Sequence, residues 1–400
     1  MILLSNHFKR NEESDLRPLQ TAILGTGFMS WVHLDALRRI GVSVTGMLGS
    51  SPDKSQAAAQ RHGLAKAYAS LEEVLADQNV DCIHVCTSNR SHFECVSRSL
   101  RAGKHVLCEK PLSMDSNESA ALVELAGRHE NLGACVNYNI RFYPLCVEVH
   151  SRLKNGELGR LFHINGSYVQ DWLLKPTDYN WRVLEKEGGL LRAVADIGTH
   201  WLDLVSWMSG LKIASVCADL MTVHPTRSRP LGEVATFADK ETKLDWESHH
   251  NIPVTTDDYG AILLRFENGT RGTLQVSQVV AGRKNCLRFE IAGESSSCSW
   301  NSETPNELWM GHRDQPNEIL LRDPALLSSE ARTHAAYPGG HNEGYADSFR
   351  ACFAAFYSAI EKKNFTNPRY PAFADGHREI LVCEAVLRSH LTRQWVDVRM

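Results

Sequence analysis

Residues 21–40, TAILGTGFMSWVHLDALRRI, determine the fold class, because a short apolar run is followed by a Gly-x-Gly turn and then by a helical repeat. The run TAIL has the length of a buried strand, and the residues after the turn repeat their apolar positions with helical period. Gly25 and Gly27 permit a tight turn and let backbone amides at the helix N-terminus approach a pyrophosphate. Such glycines can also be plain turn residues, and Ser30 stands where the dinucleotide fingerprint has a third Gly or Ala.

The alternation of strand and helix continues from Thr21 to Val136 and changes at about residue 142. Short apolar runs such as CIHVCT and HVLCEK alternate with helical segments, which predicts an α/β domain with a doubly wound parallel sheet. Later strands joined by the turn ENGT predict an α+β domain with a mostly antiparallel sheet. We therefore expect a loose tail at 1–19, a dinucleotide-binding domain at 20–141 and a second domain at 142–400.

Composition limits the partners that this chain can bind. The 400 residues carry a formal net charge of −4 and show no basic footprint of the kind that nucleic acid or an anionic membrane attracts. The 11 cysteines include no CxxC pair, and several lie in apolar runs, as expected in a reducing compartment. No stretch approaches the roughly 20 apolar residues of a membrane span, and the apolar start is too short for a signal peptide. We expect a cytoplasmic protein without a nucleic-acid or membrane partner.

The end of the second strand, in VSVTGMLGSSPDKS, bears on the choice of cofactor. An acid there would bind the adenosine ribose of NAD, but Gly49, Ser50 and Ser51 occupy these positions. The two hydroxyls, with Lys54 or Arg38 nearby, could accept the 2′-phosphate of NADP, and hydroxyls can equally bond a ribose. The choice between NAD and NADP stays open.

Two polar segments follow the ends of apolar strands, CTSNRSH at 86–92 and CEKP at 108–111. A doubly wound sheet binds its ligands at this edge. Lys110 is therefore expected near the nicotinamide of the cofactor. The alternative is a strand-end lysine in water.

A third segment, DIGTHWLD, places Asp196 and His200 four residues apart, which on a helix brings both to one face. A neutral imidazole can take a hydroxyl proton, and a neighbouring carboxylate favours the cation that forms. The alternative is a helix cap at Asp196 and an incidental histidine. No HxxxH or cysteine partner has metal-ligand spacing here, so no metal is expected.

The Gly-x-Gly start, the E-K-P tripeptide and DIGTHWLD after GGLLR together resemble the family of glucose-fructose oxidoreductase, inositol dehydrogenase and MocA-type enzymes. The resemblance runs from about Thr21 to the end and implies a Rossmann domain followed by a domain with an open, largely antiparallel sheet. That sheet often forms the oligomer interface in the family, which implies a homodimer or homotetramer. Members commonly oxidise a secondary alcohol of a sugar or cyclitol with NAD or NADP.

The resemblance also assigns roles to residues of this chain. Lys110 would contact cofactor and substrate, His200 would accept the proton, and Asp196 would orient the substrate. Trp181 and Arg182 would lie near the nicotinamide end. One departure is Ser88 where the family has proline in a T-P-N segment. The cofactor residues implied are Gly25, Gly27, Phe28, Met29, Ser50, Thr87, Asn89, His92 and Glu109, to which the strand-end argument adds Ser51 and Lys54.

Aromatic and polar residues crowd the segments NYNIRFYP, QDWLLKPTDYNW and YPGGHNEGY. Aromatic faces cover the C–H patches of sugars and polar side chains bond their hydroxyls, so we expect a pyranose ring, such as that of a glycoside or anhydrosugar. The reaction predicted is hydride transfer from a ring carbinol to NAD or NADP. A ketosugar reductase, a glycosidase acting by transient oxidation and a non-catalytic sensor remain alternatives. The candidate substrate residues are Tyr138, Asn139, Arg141, Gln170, Asp171, Trp172, Tyr179, Asp196, His200 and His341.

Overall fold

A computed structural model describes residues 17–231 and 249–399, so most of the predicted tail lies outside the described residues. The first domain is a six-stranded parallel sheet in the order β3-β2-β1-β4-β5-β6, as predicted. Its strands are β1 (Gln20–Leu24), β2 (Ser43–Leu48), β3 (Lys66–Tyr68), β4 (Cys82–Val85), β5 (His105–Cys108) and β6 (Ala134–Val136). Its helices are α1 (Phe28–Arg39), α2 (Pro52–His62), α3 (Leu71–Ala76), α4 (His92–Arg101) and α5 (Ser116–Arg128).

The strand order reverses between β1 and β4, which lie side by side in the middle of this sheet. In open parallel sheets the crevice beyond this switch point binds ligands. The turn after β1 and the loops after β4 and β5 all open into it. The glycine turn and the segments CTSNRSH and CEKP therefore meet at one edge of the sheet.

The second domain contains a nine-stranded sheet in the order β16-β15-β14-β13-β7-β12-β11-β8-β17. Among its described strands only β7 and β12 pair in parallel, which confirms a mostly antiparallel sheet. The strands are β7 (Leu161–Val169), β8 (Ile213–Met221), β11 (Tyr259–Phe266), β12 (Arg271–Ser277), β13 (Cys286–Gly293), β14 (Ser297–Asn301), β15 (Glu307–Gly311), β16 (Glu318–Leu321) and β17 (Val396–Asp397). A separate ribbon pairs β9 (Thr226–Pro230) with β10 (His249–Pro253).

Helices cover one face of this sheet, and exposed and buried residues alternate along β12, so its side chains on the other face are exposed. The expected oligomer interface on the exposed face stays a prediction. The helices are α6 (Pro144–Lys154), α7 (Glu185–Gly188), α8 (Thr199–Ser209), α9 (Ser329–Arg332), α10 (Tyr345–Glu361) and α11 (Phe373–Thr392). A π-helical turn, Val194–Gly198, leads directly into α8.

The helix α10 returns to the first domain. Phe349, Phe353 and Phe356 are buried in one core cluster with Ile23 of β1 and Leu37 of α1. The core of the first sheet is thus completed by residues from beyond the second sheet. The domain boundary at residue 141 remains a prediction. Within the described ranges, no helix is both long enough and apolar enough to span a bilayer.

Candidate active site

The turn between β1 and α1 is shaped by its two glycines. Gly25 has φ +114°, and a Cβ atom there would lie 2.5 Å from the carbonyl oxygen of Cys86. Gly27 precedes α1, offers no side chain as a cap, and a Cβ atom there would meet nothing within 4 Å. The start of this 12-residue helix therefore has no side-chain cap and has open space beside Gly27, as an anion site requires.

Two adjoining cavities lie beyond this turn. A narrow cleft is lined by Gly27, Cys86, Thr87, Asn89 and Trp181. A larger cavity of about 350 Å³ includes His200 and Asp196 in its wall. Both are lined by Phe28, Met29, Glu109, Lys110 and Arg182. The larger cavity has the size of a small-molecule site.

Lys110 does not point into water. Its ammonium donates to the backbone oxygen of Asp196 over 2.6 Å and to Asp196 Oδ1 over 2.8 Å. Arg182 Nε donates to the same Oδ1 over 3.1 Å, and Gln278 Nε2 donates to Oδ2 over 2.8 Å. Burial raises the pKa of Asp196, but the charges of Lys110 and Arg182 outweigh it and hold the pKa well below its ordinary value.

His200 follows the π-helical turn and packs edge-on against Tyr138, with ring centroids 5.8 Å apart. Its Nδ1 is buried without a hydrogen-bond partner. Burial, and then the charge of Lys110, lower the pKa of His200 to about 3. The ring is therefore neutral at neutral pH.

The expected pairing of Asp196 with His200 differs from the structure in one respect. Both side chains line the cavity, but in the described structure Asp196 bonds to Lys110, Arg182 and Gln278, and no hydrogen bond joins it to His200. The spacing of four residues presumed an α-helix, whereas a π-helical turn lies here, with a different side-chain spacing. Burial and the charge of Lys110 lower the pKa of His200 more than the Asp196 carboxylate raises it.

The predicted substrate residues Gln170 and Trp172 line the cavity and belong to a neutral hydrogen-bonded arc. Trp172 Nε1 donates to Gln170 Oε1, and Gln170 Nε2 donates to Asn285 Oδ1, each over 2.7 Å. Tyr168 donates its hydroxyl to the same Asn285 oxygen over 2.7 Å. Asn139 also lines the cavity, and Asp171 holds Lys284 at its edge through an ion pair of 2.5 Å.

Tyr138 and Asp171 do not line the cavity themselves but contact the lining residues His200 and Lys284. Three other predicted substrate residues lie elsewhere. Arg141 is buried in a two-pronged ion pair with Asp203. Tyr179 packs beneath the guanidinium of Arg229, 5.6 Å from its ring centroid. His341 is exposed in a loop, with Nδ1 3.3 Å from the backbone oxygen of Gly339. None of the three is among the residues lining the cavity.

The predicted adenosine residues lie together after β2. Ser51 caps α2 by accepting the N–H of Lys54, and Lys54 Nζ donates to Ser50 Oγ over 2.9 Å. A Cβ atom at Gly49 would lie 2.9 Å from Lys54 Cβ, so this close packing needs glycine. Their contact with a cofactor stays a prediction.

The loops after β4 and β5 are tied together by His92. Its ring nitrogens lie 2.7 Å from the carbonyl oxygen of Pro111 and 3.3 Å from that of Thr87. Asn89 donates to the backbone oxygen of Gly188 over 2.9 Å. His92 therefore shapes the edge of the cleft from behind rather than lining it.

Several cavity residues were missed from the sequence. Tyr168, Asn285, Tyr345 and Phe349 line the cavity, and Gln278 binds Asp196. They come from β7, the residue before β13, α10 and the end of β12. Only the segment that ends in Tyr345 carries a signal in the sequence, because it is rich in aromatic and polar residues. Among the described residues, no three His, Cys, Asp or Glu side chains are placed to hold a metal ion.

Comparison with known proteins adds two family matches. Residues 19–138 match a family described as oxidoreductases with an NAD-binding Rossmann fold. Residues 146–299 match the GFO/IDH/MocA C-terminal domain.

Individual relatives agree with these matches. Levoglucosan dehydrogenase of Pseudarthrobacter phenanthrenivorans is 27% identical over 402 residues, which span 96% of this chain and 99% of that enzyme. A 1,5-anhydro-D-fructose reductase of Ensifer adhaerens is 31% identical over 178 residues, 44% of this chain and 52% of the reductase. The solved structure of levoglucosan dehydrogenase in complex with NADH and L-sorbose superposes with a TM-score of 0.85 at 26% identity, covering 96% of this chain and 100% of that one.

Proposed function

Because the chain belongs to the GFO/IDH/MocA family of oxidoreductases, we propose that it oxidises a secondary alcohol of a sugar, glycoside, anhydrosugar or cyclitol by hydride transfer to NAD or NADP. One observation carries the proposal: Gly27, Lys110 and His200 line two adjoining cavities at the carboxyl edge of a parallel sheet. A levoglucosan dehydrogenase that aligns along nearly the whole chain supports the same class of substrate.

The residues present fit a dinucleotide. The open N-terminus of α1 would hold the pyrophosphate, and Thr87, Trp181 and Arg182 would line the path toward the nicotinamide. The Ser50 and Lys54 pair would meet the adenosine ribose, where it suits a hydroxyl or a 2′-phosphate. A bound nicotinamide supplies the carbon that takes the hydride.

His200 is the proposed acceptor of the hydroxyl proton. It is neutral, lines the cavity and has one buried nitrogen without a protein partner. The alcohol loses a hydride and a proton and becomes a ketone, and the imidazole becomes a cation. His200 gains one positive charge, and hydride transfer removes one positive charge from the site. The net charge of the site therefore does not change.

Lys110 is proposed to stabilise the oxygen of the reacting alcohol. Two of its N–H groups donate to Asp196, which leaves one N–H for a substrate oxygen. The positive charge stabilises the alkoxide character that develops as the proton leaves. Asp196 fixes the ammonium in position and is itself fixed by Arg182 and Gln278.

The cavity favours a neutral polyol ring. Its arc of Trp172, Gln170, Asn285 and Tyr168 offers neutral donors and acceptors beside aromatic faces. Phe349 and Ile197 add apolar surface to the lining of the same cavity. A ring with hydroxyls on its edge and C–H groups on its faces matches this combination of polar and apolar lining.

The proposal is tested by incubating the purified protein with sugars, anhydrosugars, glycosides and inositols, each with NAD and with NADP. We expect one equivalent of reduced cofactor per ketone formed and a slower chemical step when the reacting carbon carries deuterium. Product without net reduced cofactor would instead indicate a glycosidase that oxidises its substrate transiently. Turnover only from ketone and reduced cofactor would indicate a reductase.

Two variants assign the chemistry within this test. His200→Asn should lose turnover while still binding the dinucleotide, because the imidazole is proposed to take the proton and not to hold the cofactor. His341→Asn is the matched control, since His341 is exposed in a loop away from the cavity. Equal activity in both variants would remove His200 from the reaction.

A further inference from the structure

A chain of buried hydrogen bonds runs from the first strand to the candidate site. Tyr357 OH on α10 lies 2.5 Å from Thr21 Oγ1 and 3.0 Å from His84 Nε2. His84 Nδ1 lies 2.9 Å from His33 Nδ1, and His33 Nε2 lies 2.8 Å from Glu109 Oε1. All five side chains are buried, and the chain ends beside Lys110. The roles proposed above for Lys110 and His200 do not use it.

Groups that can only donate determine the direction of this chain. Asn137 Nδ2 donates to Glu109 Oε1 over 2.5 Å, and the backbone N–H of Lys110 donates to Oε2 over 3.3 Å. Both carboxyl oxygens therefore accept, as an ionised carboxylate does. His33 Nε2 must then carry a hydrogen toward Glu109.

The remaining protons follow in order. In the tautomer that carries its hydrogen on Nε2, His33 accepts at Nδ1, where His84 Nδ1 and Cys86 Sγ approach to 2.9 and 3.2 Å. His84 then donates from Nδ1 and accepts at Nε2 from the Tyr357 hydroxyl, which accepts in turn from Thr21. Every donor in the chain points toward Glu109. Burial lowers the pKa of His84 far below its ordinary value, which agrees with a neutral ring.

Glu109 lies where its charge matters to a cofactor. It lines both the narrow cleft and the larger cavity, together with Lys110 and Arg182. Without Glu109 the local group would contain two cations and the single anion Asp196. With Glu109 ionised the group is balanced. The oxidised nicotinamide ring is positively charged and the reduced ring is neutral.

We propose that the chain from Thr21 to Glu109 holds a fixed carboxylate beside the nicotinamide end of the cleft, and that this charge makes the protein bind the oxidised cofactor more tightly than the reduced one. The proposal rests on the proposed function, because it requires a nicotinamide cofactor in the cleft. Glu109 and Lys110 would then have different roles. Glu109 favours binding of the oxidised cofactor, and Lys110 binds the substrate oxygen. Weaker binding of the reduced form would also ease its release.

The test measures dissociation constants for NAD⁺ and NADH by calorimetry on the purified protein. The wild type should bind NAD⁺ more tightly. Glu109→Gln keeps the shape and removes the charge, and should lower the ratio of the NADH constant to the NAD⁺ constant by about tenfold or more. An unchanged ratio would overturn the role of the charge.

The chain itself is tested at its far end. Tyr357→Phe keeps the ring and removes the donor to His84, and should lower the same ratio by roughly two- to threefold because His84 and His33 are less firmly oriented. Tyr370→Phe is the matched control, a buried tyrosine of the same core cluster outside the chain, and should leave the ratio unchanged. A wild-type ratio in Tyr357→Phe, with a reduced ratio in Glu109→Gln, would overturn the role of the chain.

Failure of the proposed function would look different. A wild-type protein that binds neither NAD⁺, NADH nor their phosphorylated forms would refute the cofactor site, and with it this inference. A protein that binds both forms and shows no preference would refute the inference alone.

Discussion

Asp196 and Asp258 each bind two basic side chains, but they differ in what surrounds them. Asp196 faces the cavity, with Lys110 and Arg182 about 10% and 19% exposed. Asp258 binds Arg192 and Arg227 where all three side chains are fully buried, and it also accepts the backbone N–H groups of Val223 and His224 over 2.8 and 3.0 Å. Carboxylates with two basic partners thus form an open cluster that lines a cavity and a closed cluster that is buried in the core.

The closed cluster supports the open one. Arg192 precedes the π-helical turn, and the neighbouring Asp257 accepts the backbone N–H groups of Arg192 and Val194 over 2.6 and 2.9 Å. These bonds fix the start of the segment that carries Asp196 and His200. Charge in a protein is therefore not a sign of catalysis by itself; access to a ligand distinguishes the two cases.

The largest effect is expected in the closed cluster. Asp258→Asn leaves two buried guanidinium groups without a carboxylate, and removing one partner of a buried pair costs about 3–5 kcal/mol. The free energy of unfolding, measured with urea, should fall by that amount. The turnover of the molecules that remain folded should change little. A loss of turnover without a loss of stability would contradict the contrast between the clusters.

The open cluster should respond in the opposite way. Lys110→Met removes the charge proposed to stabilise the alkoxide, so turnover should fall by a factor of about 10² or more. Stability should change less than in Asp258→Asn, because Asp196 keeps Arg182 and Gln278 as partners. Dinucleotide affinity should also be largely retained, since the helix N-terminus is proposed to hold the phosphates. Near-normal turnover would exclude Lys110 from the reaction.

Lowering the pH should reduce the stability of the fold more than the rate of the reaction. Burial lowers the pKa of His105 and of His334 to about 4, below the unfolded value of about 6.5. The unfolded state then binds more protons, so the free energy of unfolding falls as pH drops below about 6.5 and levels off near 4. Each histidine should remove about 2 kcal/mol between pH 7 and pH 5. Urea titrations at both pH values test this. In His105→Asn, the free energy of unfolding should fall less between the two pH values, because the contribution of His105 is absent.

The smallest effect is expected in the neutral arc. Trp172→Phe keeps an aromatic face and removes the N–H that Gln170 accepts. A neutral hydrogen bond contributes about 1 kcal/mol, so KM should rise by about fivefold and kcat should stay near its wild-type value. Steady-state kinetics with the best substrate of the panel separates the two constants. A fall in kcat with unchanged KM would place Trp172 with the reacting groups instead.

The sequence predicted the parts of the molecule that depend on neighbours along the chain. The glycine turn, the strand that ends at Cys108 and the helix after Gly198 each carry their own local pattern, and their elements are confirmed. The position of Lys110 at a ligand-binding edge followed from the topology of a doubly wound sheet. These features need no knowledge of distant contacts.

The substrate wall could not be predicted in the same way, because its members meet only through the tertiary fold. Tyr168 and Asn285 bond to each other across two strands that are far apart in the sequence. Arg141 had the composition of a substrate residue, yet its partner Asp203 lies on α8 and withdraws it into the core. A polar residue in an aromatic segment does not reveal which partner the fold will bring to it.

The return of α10 to the first domain has a consequence for how the protein is made. A ribosome delivers β1 and α1 first, and the three phenylalanines that complete their core arrive only after the whole second sheet has been synthesised. The nascent first domain therefore waits with an apolar face uncovered, and it should require chaperone protection until release. Chains that end before Tyr345 should aggregate rather than accumulate as a folded half, so quality control during translation would discard incomplete copies before they could bind cofactor.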